Sequence, residues 1–203
     1  MPVCIRTAAE TIVGAVKKSA AKKIQSLELS LVRQQEKLAA LKRRQPPESV
    51  ADYVLAGPTG PVKLSALFGK KRDLIVIHNM GASCPYCTMW ADGFNGIHPH
   101  LADRAGFVVV SPDRPAAQKK FAKGRGWKFP MYSGQGSTFI QDMGFMPKPD
   151  QPMPGVSTFR KKGGKIERVA SGYFGPFDAF CATWPLIALL DGGVGGWQPK
   201  HRY

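Results

Sequence analysis

Two cysteines separated by two residues form the part of this sequence best suited to chemistry. Cys84 and Cys87 stand in the run Ser83-Cys84-Pro85-Tyr86-Cys87. A thiol reacts as its thiolate, and the free N–H groups and dipole of a helix's first turn stabilise such a charge. Three residues of helix place the second thiol on the same face, within disulfide reach of the first. The spacing predicts dithiol–disulfide exchange, with Cys84 as attacking thiolate and Cys87 as resolving thiol.

The residues around the pair predict the elements that must position it. Leu74–Ile77 is a continuous apolar run typical of a strand buried on both faces, and Phe107–Val110 is a second one. Helical spacing follows Cys84 to about Leu101, and Pro85 suits the first helical turn because its missing N–H costs nothing there. A CxxC that follows a buried strand and opens a helix is a stronger signal than an isolated CxxC.

The rest of the chain predicts further elements from turn residues and periodicity. They are a hairpin over 53–64, a helix over 116–123, a strand over 129–132, a hairpin of 156–160 and 166–170, and a closing helix over 177–190. A βαβ unit followed by a ββα unit predicts a thioredoxin-like α/β fold with a central mixed sheet.

Three segments are expected along the chain. Residues 1–45 predict a basic helical arm in which Ile24, Leu31 and Leu38 recur every seven residues. Prolines at 46 and 47 end it. This stripe either packs on the globular domain or forms a homodimer. Residues 46–190 form the thioredoxin-like domain, and the glycine-rich residues 191–203 form a flexible tail.

Several residues are candidates for a supporting role. Pro85 and Tyr86 complete the motif between the cysteines. Trp90 either forms the floor of the active site or fills the hydrophobic core, and the second interpretation is favoured. Asp92 either relays a proton to the buried thiol or bonds backbone where Gly93 breaks the helix, and the second interpretation is favoured. Pro154 is the best candidate for a cis-proline that offers a backbone edge to substrate.

Other interpretations of the cysteines stay open. The pair could be inert and buried, or it could bind zinc with His98 and His100, whose spacing misses the usual gap between finger histidines. A thiol peroxidase is a closer alternative to disulfide exchange than a zinc site is. In peroxiredoxins a Thr stands three positions before the reactive Cys, and here Cys84 takes that place before Cys87, which favours disulfide exchange. A non-catalytic adaptor with the same fold is the remaining alternative.

Composition narrows the cellular context. The net charge of +15 attracts anions in general, but the basic residues are spread out with few aromatic residues among them, so specific nucleic-acid binding is not expected. No apolar run approaches the ~20 residues that span a bilayer. We expect a cytoplasmic protein without metal or organic cofactor, with only a redox-active disulfide. Its substrate would be a protein or small-molecule thiol or disulfide, and a thioredoxin or glutathione system would supply electrons.

One long motif resembles a known family. The stretch Cys84–Gly96, CPYCTMWADGFNG, is similar to the hallmark box of a bacterial thioredoxin-like family of unknown function, related to the alkyl hydroperoxide reductase and thiol-specific antioxidant group. Similarity extends over about residues 27–180. Further matches are Tyr53–Leu55, Leu64–Phe68, His78–Met80, Val109–Ser111, Gly126–Pro130 and Pro154–Ser157. The resemblance implies a thioredoxin fold and does not specify a substrate.

Overall fold

A computed structural model describes the backbone of residues 8–203 and the side chains from residue 17 onward. The chain divides into two compact units, with the boundary between Gln45 and Pro46. In the first unit, helix α1 spans Ala8–Arg44. The predicted helix is therefore confirmed over its described length, while residues 1–7 of the predicted arm lie outside the described residues. A homodimer through this arm stays a prediction.

In the described part of the chain, eight strands of the second unit form one sheet in the order β1-β8-β7-β4-β5-β6-β2-β3. The strands are β1 (Glu48–Val50), β2 (Val54–Gly57), β3 (Gly60–Lys63), β4 (Asp73–His78), β5 (Gly106–Ser111), β6 (Met131–Ser133), β7 (Gly155–Lys162) and β8 (Lys165–Tyr173). Strand β4 is parallel to β5 and antiparallel to β7. The predicted βαβ unit and the β7–β8 hairpin are therefore confirmed, as is the thioredoxin-like mixed sheet.

The second unit's helices connect these strands. They are a 3-10 helix (Leu64–Phe68), α2 (Pro85–Arg104), α3 (Pro115–Arg125), α4 (Phe139–Asp142) and α5 (Thr183–Ala188). The prediction of a closing helix over 177–190 is wrong in length. The Asp178 carboxylate accepts hydrogen bonds from the backbone N–H groups of Gly175 and Phe180, at 2.9 Å and 2.6 Å. These bonds hold residues 175–180 in a turn, so the helix begins only at Thr183.

The two faces of the sheet pack against different sets of side chains. Along β5, Val108 and Val110 point to one face, whereas Phe107 and Val109 point to the other. The first core cluster contains Val50, Leu55, Leu64, Leu67, Phe68, Leu74, Val76, Val108, Val110, Phe139, Ile140, Met143, Phe145, Phe159 and Ile166. The second core cluster contains Ile77, Trp90, Ala91, Phe94, Phe107, Val109, Phe129, Phe174, Cys181 and Trp184. The thiol-bearing helix α2 covers the second face.

Residues 191–203, predicted to be a loose tail, contain no helix or strand but make specific contacts within the second unit. The ring of Trp197 lies 5.6 Å from that of Trp184, edge to face. The Arg125 guanidinium donates a hydrogen bond to the His201 carbonyl at 2.7 Å. Within residues 8–203, no helix is both long and apolar enough to cross a membrane.

Candidate functional site

Cys84 is the N-cap of α2, between the end of β4 and the first turn of the helix. Its sulfur accepts a hydrogen bond from the Cys87 backbone N–H at 3.1 Å, one of the donors that a helix start leaves unpaired. Pro85 occupies the first helical position, as the sequence predicts. The Cys84 residue is 9% exposed, so the thiol lies just beneath the surface. This geometry places a sulfur where negative charge is stabilised.

Hydrogen bonding lowers the pKa of the Cys84 thiol to about 7. The largest cause is the hydrogen bond from the Cys87 side chain; burial opposes it, and the backbone N–H groups of Cys87 and Tyr86 add to it. These donors therefore favour the thiolate form of Cys84 near neutral pH.

The Cys87 thiol lies one turn deeper and has the opposite electrostatics. Its pKa is raised, first by its hydrogen bond to Cys84, then by burial and by the charge on Cys84. Its sulfur also accepts a 3.5 Å hydrogen bond from the Met80 backbone N–H. No disulfide joins the two sulfurs in this structure. The electrostatics favour a thiolate at Cys84, with Cys87 as the proton-bearing thiol that donates to it.

The loop between β4 and α2 is held from two sides. The Asn79 side chain accepts a hydrogen bond from the Gly81 N–H at 2.7 Å, and the Asp113 carboxylate accepts one from the Ala82 N–H at 2.8 Å. Gly81 has a φ of 110°, and a Cβ there would lie 2.9 Å from an Asp113 oxygen. Glycine is therefore required, and Asp113 sets the approach of the chain to Cys84.

Pro154 lies beside this loop. Gly155 pairs with His78, the last residue of β4, so Pro154 and Asn79 are the next residues of the two chains beyond this pair. The expectation of a cis bond is wrong, because no cis peptide bond occurs in the described residues. The Pro154 carbonyl accepts a hydrogen bond from the Phe174 N–H at 3.0 Å, just beyond the end of β8.

Tyr86 connects the cysteine motif to the second core cluster. Its ring stacks on that of Trp184, with centroids 6.0 Å apart, and lies 6.5 Å from that of Trp90. Trp90 is 3% exposed and packs on Phe174 at 5.6 Å. This agrees with the favoured interpretation of Trp90 as a core residue.

Asp92 has contacts that neither interpretation of the sequence anticipated. Its carboxylate forms an ion pair with Arg125 and accepts a 2.8 Å hydrogen bond from the Trp127 indole N–H. The helix also continues through Gly93, so the predicted break there is wrong. Asp92 thereby links α2 to the end of α3 and the segment that follows.

Other polar residues near the motif in sequence have different surroundings. Lys71 donates to the Asp103 carbonyl beside the start of β4, at the opposite end of that strand from the cysteines. The His98 ring packs edge-on against Phe107 at 5.5 Å and Phe129 at 6.2 Å. Among the side chains described, no three of His, Cys, Asp or Glu are grouped as a metal site requires.

Two residues at this site, Asp113 and Trp184, are not among the candidates that the sequence predicts. Asp113 follows β5 and Trp184 lies in α5, so each reaches the cysteine loop or motif only through the fold. A carboxylate after a buried strand is a usable signal for Asp113, since the carboxyl ends of parallel strands share one edge of a sheet. Trp184 has no local signal of this kind.

Comparison with known proteins agrees with this fold. Residues 12–200 match the profile of a family described as bacterial protein of unknown function (DUF899). No curated protein matches the chain. Among solved structures, the chain is similar to peroxidoxin BcpB from Mycobacterium tuberculosis, at 27% identity and a TM-score of 0.52, covering 63% of this chain and 84% of that one.

Two further solved structures are similar in fold. Peroxiredoxin Q from Xanthomonas campestris is 17% identical, with a TM-score of 0.50, over 62% of this chain and 87% of its own. A peroxiredoxin-like protein from Aquifex aeolicus is 18% identical, also with a TM-score of 0.50, over 63% of this chain and 74% of its own. The fold is that of thioredoxin-fold peroxiredoxins.

Proposed function

Since the chain belongs to the DUF899 family of bacterial proteins, whose function is not known, we propose its activity from the thiol geometry: dithiol–disulfide exchange. The observation that carries the proposal is the Cys84 sulfur at the start of α2, with a lowered pKa and with Cys87 as its hydrogen-bond donor. A thiolate next to a second thiol one turn away is the arrangement that disulfide exchange requires.

The proposed reaction moves two electrons from the dithiol to the substrate. The Cys84 thiolate attacks one sulfur of a substrate disulfide, forms a mixed disulfide and releases the other substrate sulfur as a thiolate. Cys87 then loses its proton to solvent or to that thiolate and attacks the Cys84 sulfur. The second substrate sulfur leaves, and the protein holds a Cys84–Cys87 disulfide.

The pKa values support this assignment of roles. Cys84 is the better nucleophile at neutral pH because its thiolate is stabilised, whereas Cys87 keeps its proton until Cys84 has reacted. Once Cys84 is in a mixed disulfide, it no longer carries the charge that raises the pKa of Cys87. The resolving step is thereby activated by the first step.

The cycle closes when one external dithiol or two external monothiols reduce the new disulfide and are themselves oxidised to a disulfide. We propose a thioredoxin or glutathione system as this reductant, and a protein or small-molecule disulfide as the substrate. The only redox group required is the cysteine pair itself, and the cycle needs neither a metal nor an organic cofactor.

Peroxide reduction is the second candidate, favoured by the similarity to peroxidoxin BcpB and the peroxiredoxins. There, a thiolate would attack peroxide, release water or an alcohol and become a sulfenic acid, which the other thiol would convert to a disulfide with loss of water. If Cys87 takes the place of the reactive cysteine, its raised pKa opposes this reaction. A peroxidase that uses Cys87 as its reactive thiol is therefore less well supported than disulfide exchange through Cys84.

The test compares both activities in one preparation. We expect the pre-reduced protein, in stoichiometric amount and free of any other reductant, to reduce insulin disulfides and to consume hydrogen peroxide much more slowly. Cys84→Ser should abolish insulin reduction, and Cys87→Ser should trap a mixed disulfide visible by mass. Peroxide consumption that is faster than insulin reduction would favour the peroxidase. A Cys84→Ser protein that keeps the biological function of wild type would favour the non-catalytic adaptor.

A further inference from the structure

Half of the large apolar side chains that are exposed in residues 46–203 lie in one short segment, residues 177–190. We call this set the C-terminal apolar surface: Phe177, Phe180, Leu186, Leu189 and Leu190. Phe177 is 60% exposed and Leu189 84%. Exposed apolar groups concentrated in this way mark interaction sites rather than ordinary surface.

Phe177 is held outward in a strained conformation. Its φ is 65°, in the left-handed region that a bulky residue rarely adopts and that glycine adopts at little cost. The two hydrogen bonds to the Asp178 carboxylate, from Gly175 and Phe180, fix the turn around it. A turn that would be relaxed with glycine therefore carries an exposed aromatic ring. Strain of this kind is typical of residues that contact a ligand.

The surface is continuous with the thiol pair. The Phe177 ring lies 6.1 Å from that of Trp184, and Trp184 stacks at 6.0 Å on Tyr86, which stands between the two cysteines. Trp184 is 3% exposed, so it supports the Phe177 ring from beneath. A substrate polypeptide bound over Phe177 would therefore be connected to the CxxC motif through two ring contacts, Phe177 with Trp184 and Trp184 with Tyr86.

We propose that Phe177 and the C-terminal apolar surface select the substrate: a protein or peptide disulfide with an aromatic or large aliphatic side chain next to its cysteine. This proposal rests on the proposed disulfide exchange. The substrate side chain would cover the exposed face of Phe177 while its sulfur meets Cys84. Glutathione disulfide, which is small and charged, has no such side chain to place there.

The test uses two peptide disulfides that are identical except for Phe or Ser after the cysteine. Reduced protein is mixed with each in single-turnover stopped flow, so no second reductant is needed. We expect wild type to react about fivefold faster with the Phe peptide, the worth of one aromatic contact. Phe177→Asn, in which the new residue tolerates this φ, should abolish the preference by slowing the Phe-peptide reaction to the rate of the Ser peptide.

Two controls separate docking from damage. Val54→Ser removes an exposed apolar side chain on β2 and should leave both rates as in wild type. The rate of Cys84 alkylation should be equal in wild type and Phe177→Asn, which shows that the thiol site is intact. Phe177→Gly, which relaxes the turn, should lose the preference in the same way.

The outcomes against the proposal are distinct from failure of the activity. Equal wild-type rates for the two peptides, or equal slowing of both by Phe177→Asn, would overturn the docking role and leave disulfide exchange standing. A dimer in sedimentation that Phe177→Asn dissociates, with the peptide preference retained, would assign the surface to a second copy instead. If wild type reacts with neither peptide although Cys84 is alkylated, the proposed function itself fails.

Discussion

The two faces of the central sheet differ in what lies beyond their cores. The first core cluster is closed: Phe68, Phe139 and Phe159 are at most 1% exposed, and His78 is buried among them. The second core cluster continues through Trp184 to Tyr86 in the thiol motif and to the exposed Phe177. Alternate residues of the same strands thus supply a purely structural face and a face that leads to reactive groups.

His78 and Cys84 illustrate this difference, although both stand near the end of β4. The His78 ring stacks on that of Phe145 at 3.8 Å and shares a 2.9 Å hydrogen bond with the Ser157 hydroxyl. Burial lowers the pKa of His78 to about 3, so the imidazole stays neutral. Cys84, by contrast, has hydrogen-bond donors that favour its charged form. Burial without a compensating acceptor or negative charge suppresses the imidazolium form of His78, whereas the N–H groups of a helix start and a neighbouring thiol stabilise the anionic form of Cys84.

The largest expected effect comes from a substitution that removes packing from the first face of the sheet alone. Phe159→Ala empties a site that is 1% exposed and should lower the free energy of unfolding by about 3–5 kcal/mol. Cys84 should keep its alkylation midpoint near pH 7, since its hydrogen bonds lie on the other face. Urea unfolding and alkylation rates measure the two quantities. A shift of the alkylation midpoint in Phe159→Ala would contradict the distinction between the two faces. Leu189→Ala, at an exposed site, is the control and should leave the free energy of unfolding nearly unchanged.

The second prediction concerns pH and His78. Because its folded pKa is about 3 and its unfolded pKa about 6.5, only the unfolded state takes up a proton between these values. Stability should therefore fall by about 1.4 kcal/mol for each pH unit below about 6.5. The double variant His78→Leu with Ser157→Ala should lack this slope in urea unfolding at pH 7, 6 and 5. Parallel pH profiles in wild type and variant would show that His78 is not buried as a neutral group.

The third prediction tests the hydrogen bond between the thiols. Cys87→Ala removes the donor that most lowers the pKa of Cys84, so that pKa should rise by about one unit, equivalent to about 1.4 kcal/mol. Cys87→Ser keeps a hydroxyl donor and should shift the pKa less. Iodoacetamide alkylation rates against pH give each midpoint. A midpoint that stays near 7 in Cys87→Ala would assign the stabilisation to the backbone N–H groups instead.

The smallest expected effect is at Asp113, which ties the cysteine loop to the end of β5. Asp113→Asn keeps an acceptor for the Ala82 N–H but loses its charge, and should cost about 0.5–1 kcal/mol in local stability. Hydrogen exchange at the Ala82 amide should become faster, while Asp191→Asn, an exposed carboxylate, should leave it unchanged. Unaltered protection of Ala82 in Asp113→Asn would mean that the loop is held by Asn79 alone.

Much of the fold follows from local patterns. The runs at 74–77 and 107–110 are apolar on both faces, and strands β4 and β5 are found there, with α2 between them. The apolar spacing over 177–190 predicts too long a closing helix, because it gives no sign of the turn at Asp178. Apolar spacing reports which residues can be buried on a helix, and it does not register a side chain that captures the backbone N–H groups before the helix begins.

The thiol pair likewise combines features that local sequence predicts with contacts that only the fold creates. The types and spacing of Cys84 and Cys87, and a proline suited to a first helical turn, are encoded within a few residues and are readable from the chain alone. The contacts of Asp113 with Ala82 and of Trp184 with Tyr86 join positions that are 31 and 98 residues apart. No local periodicity carries such pairings. Asp113 reaches Ala82 only when the sheet brings the ends of β4 and β5 to one edge, and Trp184 reaches Tyr86 only when α5 packs against α2. The tertiary structure alone therefore decided how the loop is held and which surface adjoins the sulfur.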